Sequence, residues 1–148
     1  MRDLALILLL AGCPEETASP VAAPKPDDPI AHGWKVSGHV LAPGTMLTDT
    51  DADALVGRAV DITATGYTTP WHGTCESATR EHRVKALAEV TASLKVDRDA
   101  VKALGLADPL DEYRLTCTDN TRAPAFVLWL SGSHALTCWS GACYALTR

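Results

Sequence analysis

The chain lacks an apolar run long enough to cross a membrane as a helix. Its N-terminal run, Leu4 to Leu10, is far short of the ~20 residues such a span needs. It has no cluster of lysines and arginines, and its formal charge is −5, so it offers no basic face to nucleic acid. There is no phosphate loop, no dinucleotide fingerprint and no Gly-x-Ser-x-Gly elbow. No Cys-x-x-Cys pair occurs, and no two of His32, His39, His72, His82 and His134 share i, i+4 spacing on an expected helix. No internal repeat is visible. These absences leave no metal, cofactor or catalytic set to assign.

What is present begins with Leu10-Ala11-Gly12-Cys13, which follows the apolar run and one basic residue, Arg2. The parts are those of a short secretory signal. Position by position, the four residues resemble the lipobox of bacterial lipoproteins. That resemblance implies cleavage before Cys13, a diacylglycerol thioether on its sulfur and an acyl group on the new amine. Cysteine suits the reaction because its thiolate is the nucleophile, and several acyl chains bury enough CH₂ groups to anchor a protein stably. Pro14, not Asp, follows Cys13. In such lipoproteins this implies the outer membrane, with the domain facing the periplasm.

The chain of 148 residues then divides into a signal peptide (1–12), a lipidated Cys13 with a proline-rich linker (13–31) and a single β-rich domain (32–148). The linker holds Pro14, Pro20, Pro24, Pro26 and Pro29 among small and charged residues, a composition that favours extended conformations over a packed core. With Cys13 assigned to lipid, Cys75, Cys117, Cys138 and Cys143 remain. An even number of cysteines in an exported chain points to disulfides. Ser140-Gly141 can form a two-residue hairpin turn, placing Cys138 opposite Cys143 in a non-hydrogen-bonded pair, where side chains come closest. Cys75 would then pair with Cys117. A four-thiolate zinc site is the weaker alternative.

The domain reads as mainly β. Trp34, Val36 and Val40 alternate with polar residues, as do Val60, Ile62 and Ala64, and Tyr113, Leu115 and Cys117. Gly73 to Ala78 is another expected strand. Ala125 to Leu130 is a continuous apolar run, as in a central strand, and His134–Trp139 with Ala142–Thr147 make a closing hairpin. From Val84 to Val96 the even positions are all apolar. A long strand is favoured there, although Leu87, Val90 and Leu94 also share helical spacing. Two short helices are expected: one capped by Asp49 or Asp51 and ending at Gly57, the other capped by Asp97 over Arg98–Leu104 and stopped by Gly105. The result is a small antiparallel barrel or strongly curved sheet of about eight strands with two short helices.

Asp49-x-Asp51-x-Asp53 resembles the start of a calcium loop, but Ala54 and Val60 stand where Gly and Glu are needed; the acids suit a helix start. Trp71-His72-Gly73-Thr74-Cys75-Glu76 is the most distinctive loop. Trp71, His72 and Glu76, with Trp139, are the expected binding residues, because aromatics beside a turn make interface anchors. The last ten residues are similar to the ends of small bacterial envelope lipoproteins of uncharacterised activity. The layout of anchor, barrel and disulfide is also similar to that of lipoprotein inhibitors of C-type lysozyme. The Ser-x-Ser-Gly-x-x-Tyr motif of those inhibitors is absent. The resulting expectation is a non-enzymatic binding module on the membrane, an inhibitor or immunity protein against an envelope hydrolase being one form of it, with an envelope protein as partner and no cofactor. The alternative is a periplasmic hydrolase using His72 or His134 with a nearby carboxylate. A third is a barrel with an apolar ligand, which requires an empty interior.

Overall fold

The computed structural model describes residues 27–148. Cys13, the signal segment and the linker up to residue 26 lie outside the described residues. No described helix is long and apolar enough to cross a membrane.

Among the described residues, nine strands form one antiparallel sheet, β1 (Gly33–Leu41), β2 (Ala59–Ile62), β3 (Tyr67–Thr69), β4 (Gly73–Cys75), β5 (Ala78–Lys85), β6 (Leu110–Cys117), β7 (Phe126–Ser131), β8 (His134–Trp139) and β9 (Ala142–Thr147). The spatial order is β4-β3-β2-β1-β9-β8-β7-β6-β5. Apart from β4 and β5, each strand therefore pairs with its sequence neighbours around a nearly closed barrel, and β1 pairs with β9 to join the two halves. Among the described residues, the open seam lies between β4 and β5. It is stitched by the Cys75–Cys117 disulfide, with Cα atoms 5.9 Å apart. The Glu76 and Ser77 N–H groups also donate to the Asp119 carboxylate there, at 2.8 and 2.9 Å.

The barrel interior is packed with Trp34, Val36, Phe126, Leu128, Tyr144 and Leu146, all essentially inaccessible. Side chains, not a ligand space, fill it. The outer face of β7–β9 is also apolar, with Trp129, Leu136 and Cys143 pointing outward. Helices α2 (Leu87–Leu94) and α3 (Arg98–Ala103) cover it, burying Leu87, Val90 and Val101 against those residues. A third helix, α1 (Asp49–Asp53), follows β1.

Several expectations are met locally. Ser140 and Gly141 both have positive φ (52° and 86°), as a type I′ turn requires. Trp139 pairs with Ala142 and Cys138 with Cys143; this second bridge has a Cα separation of 4.0 Å. Asp97 caps α3, accepting from the Ala100 N–H at 2.7 Å.

Others are corrected. The run from Val84 to Val96 is not one strand: β5 ends at Lys85 and α2 starts at Leu87. Val84 is 62% exposed, while Leu87 and Val90, at helical spacing, fill the outer core. The cap of α1 is Thr48, not Asp49 or Asp51; its hydroxyl and the Asp51 carboxylate form a capping box. A bulge between Val36 and Gly38 changes the inward parity of β1, so Val40 lies on the outer side with α2 and α3 while Leu41 packs inward. Residues before 32 also pack against the domain. Ile30 is fully buried, its carbonyl accepts from Trp34 Nε1 at 3.0 Å, and Asp28 pairs with Arg80.

The two ends of the described chain meet. The Arg148 guanidinium lies over the Trp34 ring, 4.9 Å from its centroid, and donates to the Pro29 carbonyl at 2.8 Å.

Candidate functional site

The turn between β3 and β4 carries Trp71 and His72. Thr69, opposite Gly73, fixes the turn by accepting from the His72 N–H through its hydroxyl at 2.8 Å. The turn folds over the end of the barrel marked by the β8–β9 hairpin. Trp71 stacks on Tyr144 at 5.3 Å, nearly parallel. The His72 ring stands edge-on to Trp139 at 4.6 Å, and lies 6.2 Å from both Phe126 and Tyr67. Edge-to-face pairs at such distances are favourable beyond their buried area.

This end is unusual in its polar atoms. The Tyr67 hydroxyl, Trp71 Nε1 and both ring nitrogens of His72 are buried without a hydrogen-bond partner among the described residues. Burial pushes the His72 imidazole below its ordinary value and the Tyr67 phenol above its own, because each charged form would lose hydration without gaining a partner. His72 is therefore a neutral, largely apolar ring at neutral pH. Beside it lies a cleft of about 410 Å³, lined by His72, Leu94, Pro124, Trp139 and the Cys138–Cys143 bridge.

Of the four expected binding residues, the structure brings together Trp71, His72 and Trp139. Glu76 stands apart. It lies past the far end of β4, on a separate depression with Thr63, Thr65 and Thr74, and no proton relay links it to His72. Tyr67, Phe126 and Tyr144 belong to the aromatic cluster without having been singled out by sequence. Tyr144 had a visible signal, its inward parity on the closing hairpin.

The histidines that do meet carboxylates are elsewhere. His39 lies between Asp49 (3.0 Å) and Asp53 (3.5 Å), so two of the three Asp-x-Asp-x-Asp acids dock α1 onto β1. His82 meets Asp111 at 2.8 Å and stacks on Tyr113. Neither is hydrogen-bonded to a hydroxyl or thiol among the described residues. His134 has only the Ser133 hydroxyl, at 3.4 Å. A nucleophile–base–acid row of the kind acyl transfer uses is thus not assembled among the described residues. Cys75, Cys117 and Asp119 are close enough together to suggest metal ligands, but both sulfurs are taken up in the disulfide.

No family model, curated protein or solved structure matches the chain.

Proposed function

We propose that this chain is a periplasmic lipoprotein, held to the membrane through lipid on Cys13, that acts as a non-enzymatic binding module for an envelope protein. The carrying observation is the His72–Trp139 pair on the rim of the cleft. It is aromatic, neutral and locked on both sides: Trp139 adjoins the Cys138–Cys143 bridge, and the turn bearing His72 leads through β4 into the Cys75–Cys117 bridge. A pre-set aromatic surface loses little conformational entropy on binding, and Trp is the residue most enriched among interface hot spots. The cleft fits a protruding apolar side chain of a folded partner better than a charged small molecule, since no charged group lines it. Inhibition of, or immunity against, an envelope hydrolase suits a small, cross-linked body of this kind. Its placement in the outer membrane follows the Pro14 reading.

The test is affinity capture from detergent-solubilised envelope with the full lipidated chain and its Trp139→Ala variant. One partner is expected with the native chain, with affinity weakened roughly 30-fold or more in the variant, the ~2 kcal/mol of a hot spot. Recovery of no partner, or equal recovery by both, would overturn the reading. Intact mass of the membrane form reports the lipid on Cys13 independently.

A further inference from the structure

We infer that β5 is a pairing edge and that its occupant is a second copy of this chain, the two β5 strands docking antiparallel about a two-fold axis at His82. This goes beyond the binding reading and does not depend on it.

Strand β5 has eight residues, whereas β3 and β4 across the seam have three each. The barrel therefore uses only the start of β5 to close. The Thr118 N–H donates to the Ser77 carbonyl at 2.8 Å, so the odd-numbered residues of β5 turn their backbone groups toward β6, in the register Glu81↔Arg114 and Arg83↔Glu112. Even-numbered residues turn theirs away. The Ala78 N–H shows it, donating across the seam to the Thr65 carbonyl at 2.7 Å. Beyond that bond, the N–H and C=O groups of Arg80, His82 and Val84 face the open side, with no partner among the described residues. Such a row is a template for strand addition.

The chain itself sets the register. Thr65 occupies Ala78, and the strand ends at Lys85, which leaves the edge-facing backbone of residues 79 to 85 open, the Arg80 side chain being held by Asp28 and the Thr63 carbonyl. A two-fold at His82 pairs Arg80 with the other copy's Val84, and His82 with its counterpart, through hydrogen-bonded pairs. The intervening, closest pairs are Glu81 with Arg83 of the second copy, and the reverse. Each extends a row already present on the outer face: Arg114, Glu81, then Arg83 and Glu112 of the second copy, with signs alternating throughout. A two-fold at Glu81 would oppose two glutamates, and one at Arg83 two arginines. Opposed unlike charges stabilise a strand pair and like charges destabilise it. The residues before 27 are poorer occupants, because Pro14, Pro20, Pro24 and Pro26 lack the N–H a ladder needs.

Sedimentation equilibrium of the full chain, at high concentration and low ionic strength, tests this. The native chain should reach twice the mass of its monomer. Glu81→Arg opposes two arginines and Arg83→Glu two glutamates, so each variant alone should be monomeric. Mixed together, they should form a heterodimer, because every closest pair is again of opposite sign. A misfolded variant cannot give that rescue. A monomeric native chain, a variant that dimerises alone, or a mixture that stays monomeric would overturn the inference.

Discussion

His72 meets the edge of Trp139 across a gap of 4.6 Å between ring centroids, and neither of its nitrogens has a hydrogen-bond partner among the described residues. A proton on that ring would have nowhere to go but into an aromatic wall. Burial holds the folded-state value below the ordinary ~6.5 of an unfolded chain. As pH falls below that value, the unfolded chain takes up the proton first, so stability declines until the depressed folded value is passed. Urea midpoints should therefore fall between pH 7 and pH 5 in the native chain, and fall less in His72→Phe. Equal slopes in the two proteins would remove His72 as the cause.

The two bridges should differ in weight. Cys75–Cys117 encloses a separation of 42 residues and Cys138–Cys143 one of 5. On the chain-entropy model the first contributes about 4 kcal/mol and the second about 2. The Cys75→Ser/Cys117→Ser double variant should lose the larger share of unfolding free energy in urea, as it also opens the β4–β5 seam. A larger loss from the Cys138→Ser/Cys143→Ser pair would reverse this ranking.

Gly66 should tolerate no side chain. A Cβ there would stand 2.0 Å from the Cys75 carbonyl oxygen and 2.8 Å from that of Glu76, both backbone atoms held beside a disulfide. Gly66→Ala should destabilise by the upper part of the ~1–3 kcal/mol that overpacking costs, or more, measured as a drop in the thermal midpoint. A neutral result would show that the turn before β3 can shift.

Asp28 should mark the acid limb. Burial alone would raise its carboxyl, but the Arg80 guanidinium and the Ile30 and Ala31 amides outweigh that and hold it below its ordinary value. Its contribution is present above the unfolded value of ~3.9 and is lost as pH falls through the lower folded value. Asp28→Asn should flatten the stability profile below about pH 4 while weakening the docking of residues 28–30. An unchanged acid limb would contradict this.

Leu87→Ala should cost about 2–5 kcal/mol, because Leu87 is fully buried where α2 meets the outer face of the sheet. Loss on that scale, read from urea unfolding, would confirm that the helical layer is part of the core. A loss under about 1 kcal/mol would make it an ornament.

What the sequence made legible was local. Ser140-Gly141 between two cysteines specifies its own turn and register, and Asp97 with Gly105 brackets α3. Helix α2 was not legible because alternating alanines and valines satisfy both periods. The deciding information is the apolar outer face of Trp129, Leu136 and Cys143, which needs a cover and lies far away in sequence. Strand β3 is too short for any period to show. At the aromatic end, Trp71, His72 and Trp139 stood out as aromatics beside turns. Tyr67 and Phe126 join them only through barrel curvature. Glu76 was grouped with them by adjacency along the chain, but β4 carries it away.

Because Arg148 clasps Pro29 beside Trp34, entry and exit of the described polypeptide share one pole, while the Trp71–His72 turn and the Trp139 hairpin cap the opposite one. A pull applied through residue 27 would act like a kite string, swinging the aromatic pole outward from whatever holds the line. A reporter protein joined after Arg148 should therefore leave that pole unobstructed.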